Sequence, residues 1–117
     1  MPSKKVLYIS GPMSGKPDFN FPAFDEAADK LRKAGYRVIN PADFGANPDE
    51  SWERCVARDL AILPCADGIA ILEGWWDSRG ALLETDFAET AGKPILSVEG
   101  WIVTQNIDKC VESRQED

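Results

Sequence analysis

The chain has 117 residues, 44% hydrophobic and 28% charged, the makeup of a globular domain that buries about two-thirds of its unfolded surface. Its formal net charge of −7, with no basic cluster, excludes the footprint that a nucleic acid polymer needs, yet backbone amides can still hold one small anion. It has no histidine, which removes Ser-His-Asp and Cys-His mechanisms; its three cysteines, Cys55, Cys65 and Cys110, lack C-x-x-C spacing and read as buried reduced thiols, not as a disulfide framework or a metal site.

In chain order, Lys5 to Ser10 reads as a buried strand closed by Gly11-Pro12-Met13-Ser14-Gly15. The stretch before it shows no signal-peptide architecture, and no apolar run approaches the ~20 residues of a membrane span, so a cytoplasmic protein without membrane contact is expected. Phe24, Ala27, Ala28 and Leu31 recur at helical spacing, with Asn20 and Pro22 suited to the helix start and Gly35 to its end. Tyr36 to Ile39 is a second strand, stopped by Asn40-Pro41, and Ala42 to Glu50 is loop-like. A second helix is expected from Asp49 or Ser51 to Leu63, then a strand over Gly68 to Leu72. A third helix follows over Gly80 to Ala91, with Leu83, Phe87 and Ala91 as its inner stripe and Gly92 as its stop. Pro94 to Val98 is a fourth strand, Trp101 to Val103 is a short fifth strand or a loop, and the last dozen residues read as a helix fraying into a polar tail.

Short apolar strands alternating with helices predict an α/β fold. The expected form is a flavodoxin-like or Rossmann-like three-layer sandwich around a parallel four- or five-stranded sheet of order 2-1-3-4(-5), in a single domain. The switch point then falls between the first and third strands. Around it gather Tyr8, the loop from Ser10 to Gly15, Asp77 and Glu84.

Each of these residues also has an ordinary structural use. Gly11 to Lys16 is not a Walker A loop, because one residue is missing between the glycines and Pro17 stands where Ser or Thr belongs. The chain also lacks G-x-G-x-x-G, so the turn is either purely structural or a loop offering N–H groups to a ligand. Glu84 either complements its helix dipole in solvent or projects into the crevice as a nucleophile or general base. Tyr8 fits core packing, Asp59 a surface ion pair beside Arg58, Asp67 a turn cap and Asp77 a solvated loop. Of the adjacent Trp75 and Trp76, one is expected to stack on an aromatic ligand or to meet another subunit.

Taken together, Tyr8-Ile9-Ser10-Gly11-Pro12-Met13-Ser14-Gly15, Arg58-Asp59-Leu60, Ala66-Asp67 and Ser78-Arg79-Gly80-Ala81-Leu82-Leu83-Glu84 with Ala88 resemble the nucleoside 2-deoxyribosyltransferase superfamily, in particular its small phage-associated DUF4406 branch. The resemblance runs from about Lys5 to Ser97. It implies cleavage of the N-glycosidic bond of a nucleoside or nucleoside 5'-monophosphate, with Glu84 as nucleophile, Tyr8 positioning it and Asp59 supporting catalysis near the sugar. It further implies that Ser10, Gly11, Met13, Ser14, Asp77, Ser78 and Gly80 contact substrate, that no metal or organic cofactor is required, and that the chain forms a homodimer or larger homo-oligomer. The chain is shorter than typical transferases and carries Arg79 where they often have a small or apolar residue, which favours hydrolysis over transfer. The alternative is a non-catalytic nucleotide-binding module of the same fold.

Overall fold

The computed structural model describes residues 4–45 and 49–115, the last three through their backbone alone. Four parallel strands, β1 (Val6–Ser10), β2 (Arg37–Ile39), β3 (Gly68–Ile71) and β4 (Ile95–Ser97), form one sheet of order β2-β1-β3-β4. The helices are α1 (Phe21–Lys33), α2 (Trp52–Ile62), α3 (Arg79–Thr90) and α4 (Val98–Gln115). This is the expected α/β topology, with β1 and β3 side by side at the centre.

Side chains alternate across a strand, so β1 feeds two different cores. Leu7 and Ile9 pack with Phe24, Ala27, Ala28 and Leu31 of α1 and with Val98 and Trp101 of α4. On the other face, Tyr8 joins Leu63, Ala66, Ile69 and Ala88. Burying a side chain such as Leu7, Ile9 or Leu31 contributes roughly 2 kcal/mol by transfer alone. The covering of both faces explains why the strand reads as a continuous apolar run.

The expected fifth strand is absent among the described residues. Trp101 to Val103 belongs to α4, which begins directly after β4. Ser97 Oγ accepts from Gly100 N at 3.0 Å, capping the new helix at once. Trp101 then locks α4 onto the sheet: its Nε1 donates to Ile69 O at 2.7 Å, and Tyr36 Oη donates to Trp101 O at 2.6 Å. Gly68 makes room for it, since a Cβ there would stand 2.6 Å from Trp101 Cζ2.

The third helix is also rotated from its expected setting. Ala81, Glu84, Thr85 and Ala88 face inward, whereas Leu83, Phe87 and Ala91 do not. Small residues at positions 81 and 88 let the helix approach the sheet closely, and Leu83 at 44% and Phe87 at 37% exposure are left on the outside. Of the cysteines, Cys55 is half-buried and Cys65 and Cys110 are exposed, so the expectation of buried thiols is overturned, although all three are free. Asp67 does not cap a turn by its side chain; its Oδ2 accepts from Val6 N at 2.7 Å and pins the start of β1. The loop expected around Asn47 and Pro48 and the last two residues of the polar tail lie outside the described residues. Among the described residues no helix is long and apolar enough to cross a membrane.

Candidate functional site

Tyr8 and Ser10 are two residues apart on β1 and therefore point to one face, toward α3. There they meet Glu84. Tyr8 Oη donates to Glu84 Oε2, and Ser10 Oγ donates to Glu84 Oε1 at 2.7 Å. Each carboxylate oxygen thus has its own donor from the central strand. Glu84 is 7% exposed, Tyr8 is fully buried and Ser10 nearly so. The carboxylate lies in the wall of a cavity of about 440 Å³ beyond the carboxyl ends of β1 and β3, the place where open parallel sheets bind ligands.

Burial pushes the Glu84 carboxyl up to about 7, against the two donated hydrogen bonds, which favour the charged form, and with a smaller upward push from nearby Asp59. Tyr8 is driven far above the ordinary phenol range, first by burial and then by the charges of Glu84 and Asp59, so it remains a hydrogen-bond donor. Asp59 lines the same cavity from α2. Its carboxyl is raised by burial, with Arg58 opposing. Arg58 Nε stands 3.6 Å from Asp59 Oδ1, beyond hydrogen-bonding distance, and both atoms are buried without a hydrogen-bond partner. The guanidinium is instead held by Glu50 at 3.1 Å and by the ring of Phe44. Asp59 therefore lies beside the cavity with its buried Oδ1 held only by the long ion pair to Arg58.

The loop after β1 supplies Gly11, Met13 and Ser14 to the cavity, and the turn before α3 supplies Asp77, Ser78 and Gly80. Gly11 is required by close approach, because a Cβ would lie 2.8 Å from Leu72 Cβ at the exit of β3. Ser78 caps α3, its Oγ accepting from Ala81 N at 3.2 Å. Of the residues singled out in the sequence, Tyr8, Gly11, Met13, Ser14, Asp59, Asp77, Ser78, Gly80 and Glu84 thus share one cavity, and Ser10 stands behind Glu84.

Three further residues contribute to the site. Trp52 and Arg79 both line the cavity, with the guanidinium 4.3 Å from the indole centroid, linking the starts of α2 and α3. Asn20, in a left-handed conformation with φ of 61°, donates from Nδ2 to Pro12 O at 2.9 Å and fixes the loop after β1 from behind. Asn tolerates that conformation better than most non-glycine residues, which is the one local signal for it. Among the described residues no group of three or more Cys, Asp or Glu side chains is placed to hold a metal ion.

A four-stranded parallel sheet of order 2-1-3-4 with a donor-braced carboxylate at its switch point defines an α/β protein of the Rossmann-like class. Residues 5–97 match the family described as "Domain of unknown function (DUF4406)", and the chain belongs to that family. Its fold is shared by the solved structure of a 2-deoxyribosyltransferase from the psychrotolerant bacterium Bacillus psychrosaccharolyticus. The TM-score is 0.61 at 21% sequence identity, over 78% of this chain and 70% of that one. No curated protein matches the chain.

Proposed function

We propose that this chain cleaves the N-glycosidic bond of a deoxynucleoside or its 5'-monophosphate, with Glu84 as nucleophile. One observation carries the proposal: a single buried carboxylate, braced by donors from two residues of the central strand, faces a cavity of about 440 Å³ at the switch point. The 2-deoxyribosyltransferase that shares this fold supports the choice of substrate class.

In this mechanism a Glu84 oxygen attacks C1' and the C1'–N bond breaks, its electron pair leaving with the base. The positive charge that develops on the sugar is stabilised by the carboxylate. The departing base takes up a proton from Asp59, whose carboxyl is pushed up by burial against the opposing charge of Arg58, or from water. Water then attacks C1' of the glycosyl ester as the C1'–O bond to Glu84 breaks; its proton passes to Asp59, replacing the one given to the base, or to solvent, and the sugar leaves with Glu84 restored as carboxylate. Tyr8 and Ser10 hold the nucleophile in line. Met13, Ser14, Asp77, Ser78 and Gly80 contact the substrate, and the amides at the start of α3 offer an anion site for a 5'-phosphate. We also place a homodimer contact on the outer face of α3, where Leu83 and Phe87 leave apolar area in solvent.

Incubation with a panel of deoxynucleosides and their monophosphates, followed by chromatography, is expected to show release of free base, and Glu84→Gln is expected to abolish it while remaining folded. Saturable binding without base release from any member of the panel would instead establish a nucleotide-binding module and end the catalytic reading.

A further inference from the structure

A second cavity, of about 570 Å³, lies against the first but on the opposite side of the sheet. The first is walled mainly by α2, α3 and the loop after β1, with Phe24 of α1 at its edge; the second is walled by α1, the exit of β3 and the start of α4. Pro12, Lys16 and Gly74 line both. The two cavities therefore adjoin at the loops after β1 and β3. Lys16 stands on the rim that the two cavities share.

The second cavity has the chemistry of a ring site. Trp76 is 55% exposed on its rim, braced edge-on by Trp75 at 6.4 Å between centroids. Ala27 and Leu72 contribute apolar surface below it. Glu73 and Glu99 add acceptors suited to exocyclic amino groups or sugar hydroxyls and unsuited to phosphate. Lys30 on the same wall is engaged by Glu26 at 3.2 Å. Lys16, on the shared rim, forms no ion pair among the described residues, so the cation available to an anionic linker stands where the cavities adjoin and the acids stand beyond it. A large aromatic residue left half in solvent beside such a cavity gains by stacking on a planar ligand.

We propose that the second cavity is a subsite for a second heterocyclic base, so that the preferred ligand is a dinucleotide: one nucleoside beside Glu84, an anionic linker over Lys16 and the far base on Trp76. This rests on the reading of the first cavity as a nucleoside site. It goes beyond that reading by setting the size and charge of the whole ligand.

The test measures binding by calorimetry to the Glu84→Gln chain, which holds ligands uncleaved. The probes are the symmetric dinucleoside diphosphates of deoxyadenosine, deoxyguanosine, deoxycytidine and thymidine, each beside its own monophosphate. For at least one base, the dinucleotide is expected to bind at least about tenfold tighter than the monophosphate, since linked subsites add their contacts at high effective concentration. Adding Trp76→Ala should collapse that ratio to within about twofold of unity, and Lys16→Ala should reduce it and flatten its salt dependence. Circular dichroism checks that each variant is folded. Monophosphate binding with no gain for any dinucleotide would overturn the second subsite and leave the first standing. A gain that survives Trp76→Ala would place the second ring elsewhere and overturn the proposal. No binding of any probe would overturn both readings.

Discussion

The burial of Glu84 has a consequence for stability that can be measured without knowing the substrate. Its carboxyl is raised from 4.5 to about 7. Between those values the folded chain holds a proton that the unfolded chain has released, so stability falls as pH rises through the window. At about 1.4 kcal/mol per pH unit, the loss across the window is ~3 kcal/mol, a large share of the 5–15 kcal/mol of a typical domain. Glu84→Gln removes this titration. The amide oxygen keeps one acceptor for Tyr8 or Ser10, while the amide nitrogen leaves the other hydroxyl to find a new geometry, at about 1 kcal/mol. The variant is therefore expected to be about 1 kcal/mol less stable than wild type at pH 4.5 and about 2 kcal/mol more stable at pH 8. Urea unfolding of both chains at half-unit steps from pH 4.5 to 8 tests it, because the carboxyls not coupled to Glu84 cancel in the difference between them, leaving Glu84 and its smaller coupling to Asp59. A difference that stays flat, or that moves toward wild type as pH rises, would refute the reasoning that desolvation outweighs the two hydrogen bonds.

The same proton bears on turnover with the opposite sign. A nucleophilic Glu84 must be ionised, so base release is expected to climb with pH through about 7 as the folded state becomes less stable. Tyr8→Phe removes one donor to the carboxylate; the rate should fall about a hundredfold, and the rising limb of its pH profile should shift to higher pH, as pre-steady-state base release will show. An unchanged profile would mean that Tyr8 does not tune Glu84. If the proposed homodimer forms through the outer face of α3, Leu83→Asp places a charge there and should yield monomer in sedimentation equilibrium without loss of fold, whereas a wild-type chain that sediments as a monomer at high concentration removes that interface.

The sheet was legible because each strand is a short apolar run bounded by Gly, Pro or Asn, and strand order follows from right-handed crossovers. Tyr8, the Gly11–Gly15 loop and Glu84 could be brought to one crevice from topology alone. Two elements depart from the sequence expectation for the same reason: a local apolar pattern does not by itself fix what faces in. Trp101-Ile102-Val103 has a strand's composition, but Ser97 caps a helix at Gly100, and the indole finds its acceptor on β3 from a helix. Asn20 is legible as the start of α1, but its hydrogen bond to Pro12 O and the Trp52–Arg79 stack are not, because a side-chain brace and a contact between distant helix starts leave almost no periodic trace.

The rotation of α3 is the larger departure from the local pattern. Leu83, Phe87 and Ala91 make the stripe that hydrophobic periodicity turns inward, yet the helix buries Glu84 and Thr85 between two alanines and leaves Leu83 and Phe87 in solvent. Local preference and the observed setting disagree twice on one helix: a carboxylate is desolvated, and apolar area is exposed. Places where a sequence breaks its own pattern are where function is expected to have overridden stability. The inward face is explained if the buried acid is there to react. The outward face is explained if a second copy covers it. Neither face is what folding alone would select, and both follow from turning one helix so that Glu84 meets Tyr8 and Ser10.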